Sequence, residues 1–272
     1  MVIFKKKYKV KYNNIVLISR FITSLILIPL VLIIVKCSNY YFFIFILFLL
    51  SIICSVEWMY LIPISTTWKR LIFIIVMLFC IWILIFNIFK YCLLLILLIW
   101  ITLLCFIGIF PRLKFIWSSK FMVFLFGLIV LTSFFGSLAE IYKYKHGKCL
   151  MINLFFLVWV SDIGAYFFGK QYGKILIASK ISKGKTIEGF LGGGFCVLFC
   201  GFLEHRLFHV MDNIYYWMIV VFIVLVMSLF GDLFISMLKR RVFLKDISGF
   251  LPGHGGFLDR LDSLFASTFF FI

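Results

Sequence analysis

Apolar runs of bilayer-crossing length follow one another along almost the whole chain, each ended by a short polar break. About 20 predominantly apolar residues carry a helix across the hydrocarbon core. Runs of that order occupy roughly 15–35, 40–61, 71–89, 91–110, 121–141, 149–168, 187–203 and 214–235, with a short apolar tail at 261–272. A hydrophobic content of 65% with 21% aromatics lies far outside the usage of soluble domains. The pattern predicts an all-α polytopic membrane protein with about 8–9 transmembrane helices.

Orientation follows from the basic residues. With a cytoplasmic N-terminus, twenty Lys and Arg fall on the inner side and six on the outer side (Lys36, Lys90, Lys143, Lys145, Lys148 and Arg206), with Arg20 inside the first span. Positively charged loops favour the cytoplasmic side, so the N-terminus is expected inside. Lys5, Lys6, Lys7, Lys9 and Lys11 before the first apolar run look like the start of a signal peptide. Without a small-residue cleavage site, the run reads as a retained first helix. The break at Asn87 and Lys90 reads as a tight outer hairpin.

The net charge of +17 would suit nucleic acid, but these residues border eight or nine spans, so a membrane surface and phosphorylated substrates are the expected partners and nucleic acid is not. Eight cysteines sit mostly inside apolar runs with no C-x-x-C pair, which makes them apolar filler rather than a zinc site or a disulfide framework. The expected organisation is a scaffold of about four helices over 1–120 and a catalytic region over 121–272.

Charge inside such a chain is costly, and it is unevenly placed. Asp162, Glu188, Asp232, Asp246, Asp259 and Asp262, six of the ten acidic residues, lie in or near two polar blocks, 179–189 and 231–263. Ionisable groups at membrane depth mark functional sites by default. In the first half, Glu57 and Arg20 are the notable charges inside spans, and a structural pair or a snorkelling group accounts for either.

Asp232, Ser236 and Lys239 fall at i, i+4 and i+7 on one face of a helix, with Arg240 beside them. Lys245 and Asp246 precede a loop whose Gly249, Gly253, Gly255 and Gly256 allow backbone amides to approach an anion, with His254 among them. Asp259, Arg260 and Asp262 open the last apolar segment. Two carboxylate groups from different segments, next to Gly and basic residues, suit a hard cation bridged to phosphates. Alone, each would pass as a solvated, helix-capping inner loop.

Ser182, Lys183, Gly184, Lys185, Thr186 and Glu188 contain Gly-Lys-Thr, but position 179 is Ser where a phosphate-binding P-loop needs Gly, and no α/β sheet surrounds it. A basic, hydroxyl-bearing entry to a helix remains, and that end of a helix favours phosphate. The glycines at 192, 193 and 194 permit close helix packing. Upstream, Asp162 and Tyr166 lie at a helix end rich in Gly and Lys, where Asp162 reads equally well as a partner for a nearby lysine.

The run Ser236-x-x-Lys239-Arg240-x4-Lys245-Asp246-x-Ser248-x-x-Leu251-Pro252-x-His254-Gly255-Gly256-x-x-Asp259-Arg260-x-Asp262 resembles the signature of phosphatidate cytidylyltransferases, the CDP-diacylglycerol synthases. Asp162-x-Gly164-Ala165-Tyr166-x-x-Gly169 and Ser182-x-x-Lys185-Thr186-x-Glu188-Gly189 look like that family's upstream motifs. Gly184 stands where the family usually has Pro, and the chain ends about half a span short of the usual last helix.

The resemblance implies transfer of the cytidylyl group from CTP to phosphatidate, with CDP-diacylglycerol and pyrophosphate as products. It implies Mg²⁺ on Asp232 and Asp259, with room for a second cation. Phosphate charge then falls to Lys239, Arg240, Lys245 and Arg260, and orientation to Asp246, His254 and Asp262. Asp162, Tyr166, Ser182, Lys183, Lys185, Thr186, Glu188 and Ser236 are the expected substrate contacts. Phosphatidate would keep its acyl chains in the bilayer of a bacterial cell (inner) membrane, with the site facing the cytoplasm; a homodimer is compatible with the sequence. A CTP-dependent polyprenol or phytol kinase and an anion transporter are the competing readings. The kinase would transfer the γ-phosphoryl group, and a transporter would spread its charges through the membrane depth.

Overall fold

A computed structural model describes residues 25–62, 67–85, 89–110, 119–182, 184–208, 210–250 and 255–272. The N-terminal lysines, Arg20, Lys183 and His254 lie outside the described residues. Nine helices form among those described: α1 (Leu25–Cys37), α2 (Tyr40–Leu61), α3 (Thr67–Ile83), α4 (Phe89–Ile109), α5 (Lys120–Lys143), α6 (Gly147–Tyr172), α7 (Ile187–Phe208), α8 (Ile214–Arg241) and α9 (Leu258–Phe270). Six of them are long and apolar enough to cross a membrane. The chain is the helical, polytopic membrane protein that its apolar runs predict, and no strand occurs among the described residues.

Starts are set by side chains that accept the free amides of a first turn. Asn39 Oδ1 accepts from Phe42 N at 2.9 Å at the head of α2, and Asn213 Oδ1 accepts from Tyr215 N at 2.8 Å at the head of α8. At α7, Thr186 Oγ1 takes the Gly189 amide at 3.1 Å.

Helix α5 is the hub, packed by α2, α3, α4, α6 and α9. Lipid tails are as apolar as leucine, so close packing and interhelical hydrogen bonds hold such a bundle rather than expulsion of water. The closest pair is α6 with α7, where a Cβ added at Gly193 would lie 2.8 Å from the Ser161 carbonyl oxygen. Buried indoles add directed ties: Trp58 Nε1 donates to Val123 O at 3.0 Å, joining α2 to α5, and Trp217 Nε1 donates to Gly201 O at 2.8 Å, joining α8 to α7. One end of the bundle is closed by Tyr142 and Lys148, both donating to Ser38 O, at 2.6 and 2.7 Å. The opposite end, where α2, α6 and α8 finish and α5, α7 and α9 begin, carries the polar blocks.

Helix α8 continues six residues beyond the apolar run predicted to end at 235, because Asp232, Ser236 and Lys239 face protein partners rather than lipid. Helix α9 has 13 residues, too few to cross a bilayer, and it packs against α8 and α5.

Candidate active site

The second polar block folds around buried and half-buried carboxylates. On α8, Asp232 accepts Ser236 Oγ at 3.0 Å through Oδ1 and is ion-paired through Oδ2 with Lys185 of the first block. One helical turn beyond Ser236, Lys239 Nζ reaches Asp259 Oδ1 at 2.8 Å, with both side chains buried. Asp259 Oδ2 accepts two amides, Ile247 N at 2.9 Å and Gly256 N at 3.0 Å. Asp259 therefore fastens the loop between α8 and α9 while it neutralises a buried lysine. Asp162, at the deep end of the upstream motif, accepts Ser263 Oγ of α9 at 3.0 Å.

Asp162, Asp232 and Asp262 lie close enough to repel one another, with Lys185 and Lys239 opposing the effect. Burial, and after it the charge of Asp232, holds the Asp262 carboxyl well above the usual carboxylate range. A site crowded with acid in this way favours a cation or a cationic partner.

The first block forms a ledge rather than a P-loop. Leu176 and Thr186 make an antiparallel bridge, Ile177 N donates to Lys185 O at 3.0 Å, and Ile187 N donates to Ile175 O at 2.9 Å. Glu188 accepts the amides of Lys174 and Ile175 at 3.0 and 3.2 Å, which closes the base of the ledge. Arg240 Nε donates to Ile181 O at 3.2 Å and fastens the tip to α8. Glu188 and Arg240 thus shape the ledge that presents Ser182, Lys185 and Thr186. Tyr166 is exposed beside it, with Lys170 Nζ 5.8 Å from the ring centroid. Lys245 and Asp246 are exposed on the α8–α9 loop.

Two cavities meet at this cluster. A polar notch of about 310 Å³ lies under the ledge, lined by Asp162, Tyr166, Ser182, Lys185, Thr186 and Asp232 among others. An apolar cavity of about 380 Å³ opens between α1, α2, α5, α6 and α9, with walls that include Leu47, Phe135, Phe155 and Leu264, and its polar residues are Asp162 and Arg260. Asp162 belongs to both.

One contributor was read from the sequence only as a structural or snorkelling charge. Glu57 of α2, 3% exposed, accepts Ser248 Oγ at 2.6 Å, Phe257 N at 2.8 Å and Leu258 N at 2.6 Å. Its signal was an acid inside an apolar run, the criterion that picked out Asp162. Ser263, the Asp162 partner, gave no comparable signal.

Carboxylate oxygens are the ligand type that a hard cation takes. Asp232 receives two donors and Asp259 three, against roughly four lone-pair positions on a carboxylate. No group of three His, Cys, Asp or Glu side chains is arranged as a metal-ligand set among the described residues, so phosphate and water oxygens would complete the shell.

A family model described as the cytidylyltransferase family matches residues 18–272. Among curated proteins, the chain is 43% identical over 130 residues to a phosphatidate cytidylyltransferase of Haemophilus influenzae, covering 46% of this chain and 45% of the relative. It is 47% identical over 122 residues to one of Staphylococcus aureus (44% and 46%), and 35% identical over 152 residues to one of Pseudomonas aeruginosa (56% of each). The matched stretches span about half the length of these relatives.

Proposed function

The chain belongs to the cytidylyltransferase family, and from that premise we propose that it transfers the cytidylyl group of CTP to phosphatidate. CDP-diacylglycerol and pyrophosphate are the products. The observation that carries the proposal is the meeting of an apolar cavity and a polar notch at Asp162. A lipid phosphate and a nucleotide phosphate must come together there from different solvents, and this geometry suits that encounter. The apolar cavity falls within the size range of ligand pockets, roughly 300–1,000 Å³. In this reading it accepts acyl chain, and Arg260, which lines it together with Asp162, meets the phosphate.

The chemistry asks little of a base. A phosphate monoester is largely ionised near neutral pH, so an oxygen of the lipid phosphate attacks the α-phosphorus directly. A P–O bond forms there as the bond from the α-phosphorus to the bridging oxygen breaks, and pyrophosphate leaves with that electron pair. The barrier is chiefly repulsion between anions and misalignment, and positioning with fixed positive charge lowers both. Lys185 and Thr186 on the ledge hold the nucleotide phosphates, Arg260 holds the lipid phosphate, and Lys239 keeps Asp259 and its loop in register. Asp232 and Asp259 would hold Mg²⁺, which when bound supplies further positive charge to the phosphate oxygens. The ledge faces the cytoplasm, where CTP is available, in a bacterial inner membrane.

Purified protein incubated with phosphatidate, Mg²⁺ and CTP labelled at the α- or the γ-phosphate tests the reading. Label from the α position is expected in lipid, and γ-label in lipid would replace the proposal with phosphoryl transfer. Absence of lipid labelling from either position would refute it.

A further inference from the structure

Glu57 belongs to the scaffold half of the chain, yet it holds the start of α9. We infer that Glu57 is a positioning residue for the reaction proposed above, setting the first turn of α9 and with it Asp259, Arg260 and Asp262. This inference rests on that reading of the site.

Three observations carry it. The carboxylate is buried and receives three donors: Oε1 takes Ser248 Oγ and Phe257 N, and Oε2 takes Leu258 N. Ser248 and Phe257 lie on either side of the glycine-rich turn, so one side chain of α2 joins both ends of it. A Cβ added at Gly256 would lie 2.9 Å from Oε2 and 3.1 Å from Oε1, so any side chain at this position would force the carboxylate or the backbone to shift.

The arrangement is the one that an anion adopts at a helix N-terminus. Here the anion is built into the protein. Glu57 and Asp259 together occupy the amides of Ile247, Gly256, Phe257 and Leu258. Substrate phosphate is thereby excluded from the head of α9 and left to Lys185, Thr186 and Arg260. Asp259 and Arg260 follow Leu258 directly, so a shift of the first turn moves both.

Glu57→Gln is the informative variant. Its amide oxygen can replace Oε1, but its NH₂ group then faces the Leu258 amide, donor against donor. Two readouts are taken on the full-length protein in detergent. Hydrogen exchange followed by mass spectrometry should show faster exchange of the 255–260 amides in Glu57→Gln, with α5 and α8 unchanged and the unfolding temperature retained. Steady-state kinetics should show kcat lowered by about 100-fold, the scale expected when reacting groups are misplaced by about an ångström. KM for CTP should stay within about threefold, since the nucleotide contacts lie on the ledge. Glu57→Asp should recover part of kcat.

Wild-type exchange at 255–260 in Glu57→Gln would overturn the inference, as would wild-type kcat. A uniform loss of protection throughout the bundle would also overturn it, by making Glu57 a general stability residue. If wild-type protein makes no CDP-lipid, the proposed function fails, and the exchange measurement still decides whether Glu57 sets α9.

Discussion

Gly255 and Asp259 show at single-residue scale how tightly the loop is specified. Gly255 has φ of +84°, and an added Cβ would lie 3.0 Å from Asp259 Oδ2 and 3.1 Å from Asp246 Cβ. Left-handed backbone costs a residue with a Cβ roughly 1–2 kcal/mol before any contact is counted. Gly255→Ala should therefore lower the unfolding temperature slightly and activity at least about tenfold, in a side-by-side melt and CTP assay. Asp259 makes a sharper case. Removing one partner of a buried pair costs about 3–5 kcal/mol, so Asp259→Asn should destabilise the protein as well as inactivate it. The double variant Lys239→Met/Asp259→Asn removes the stranded charge. Thermal unfolding should recover most of the loss while CTP turnover stays absent, which separates the structural role of the pair from its role in the reaction. The sequence made these residues suspects through their type and spacing. It could not pair Lys239 with Asp259, or Lys185 with Asp232, because those contacts cross 20 and 47 positions and depend on how α8, α9 and the ledge pack.

The helices were legible because each apolar run has its own length signal. Helix α2 occupies the run read at 40–61 without change, and α7 and α8 begin at the predicted positions 187 and 214. The apolar run of α8 ends at 235, but the i, i+4, i+7 spacing of Asp232, Ser236 and Lys239 carried the helix on past it; what the run could not reveal is that Lys185 and Asp259 compensate those residues. The ledge between α6 and α7 was legible as a basic, hydroxyl-bearing stretch entering a helix, but not as a folded unit. Its shape comes from Glu188 at the base and Arg240 at the tip. Arg240→Ala should loosen the tip and leave the bundle intact. The expected result is KM for CTP raised several-fold with kcat changed less, and an unfolding temperature within about 2 °C of wild type. Equal losses in kcat and kcat/KM would place the guanidinium on the reacting phosphates instead.

For the whole molecule, spans and chemistry have a common cause. In the proposed reaction an amphiphilic substrate stays in the bilayer, and its headgroup is met at the edge of the membrane by a notch that also admits a soluble nucleotide. The bundle provides an apolar cavity and a polar notch with Asp162 in the wall of each. The concentration of acids in the last third led to the notch. The apolar cavity was hidden, because Leu47, Phe135, Phe155 and Leu264 look like any other residues of a span until five helices bring them together. Glu57 stood out as an acid inside a span, but its partners, about 200 residues away on the chain, did not. The most direct measurement of the account is photo-crosslinking with a phosphatidate that carries a diazirine in one acyl chain, with the labelled peptides mapped by mass spectrometry. Labelling is predicted on α2, α5, α6 and α9 around the apolar cavity, suppressed by excess unlabelled phosphatidate. Labelling confined to the outward faces of α3 and α4, unaffected by that competitor, would contradict it.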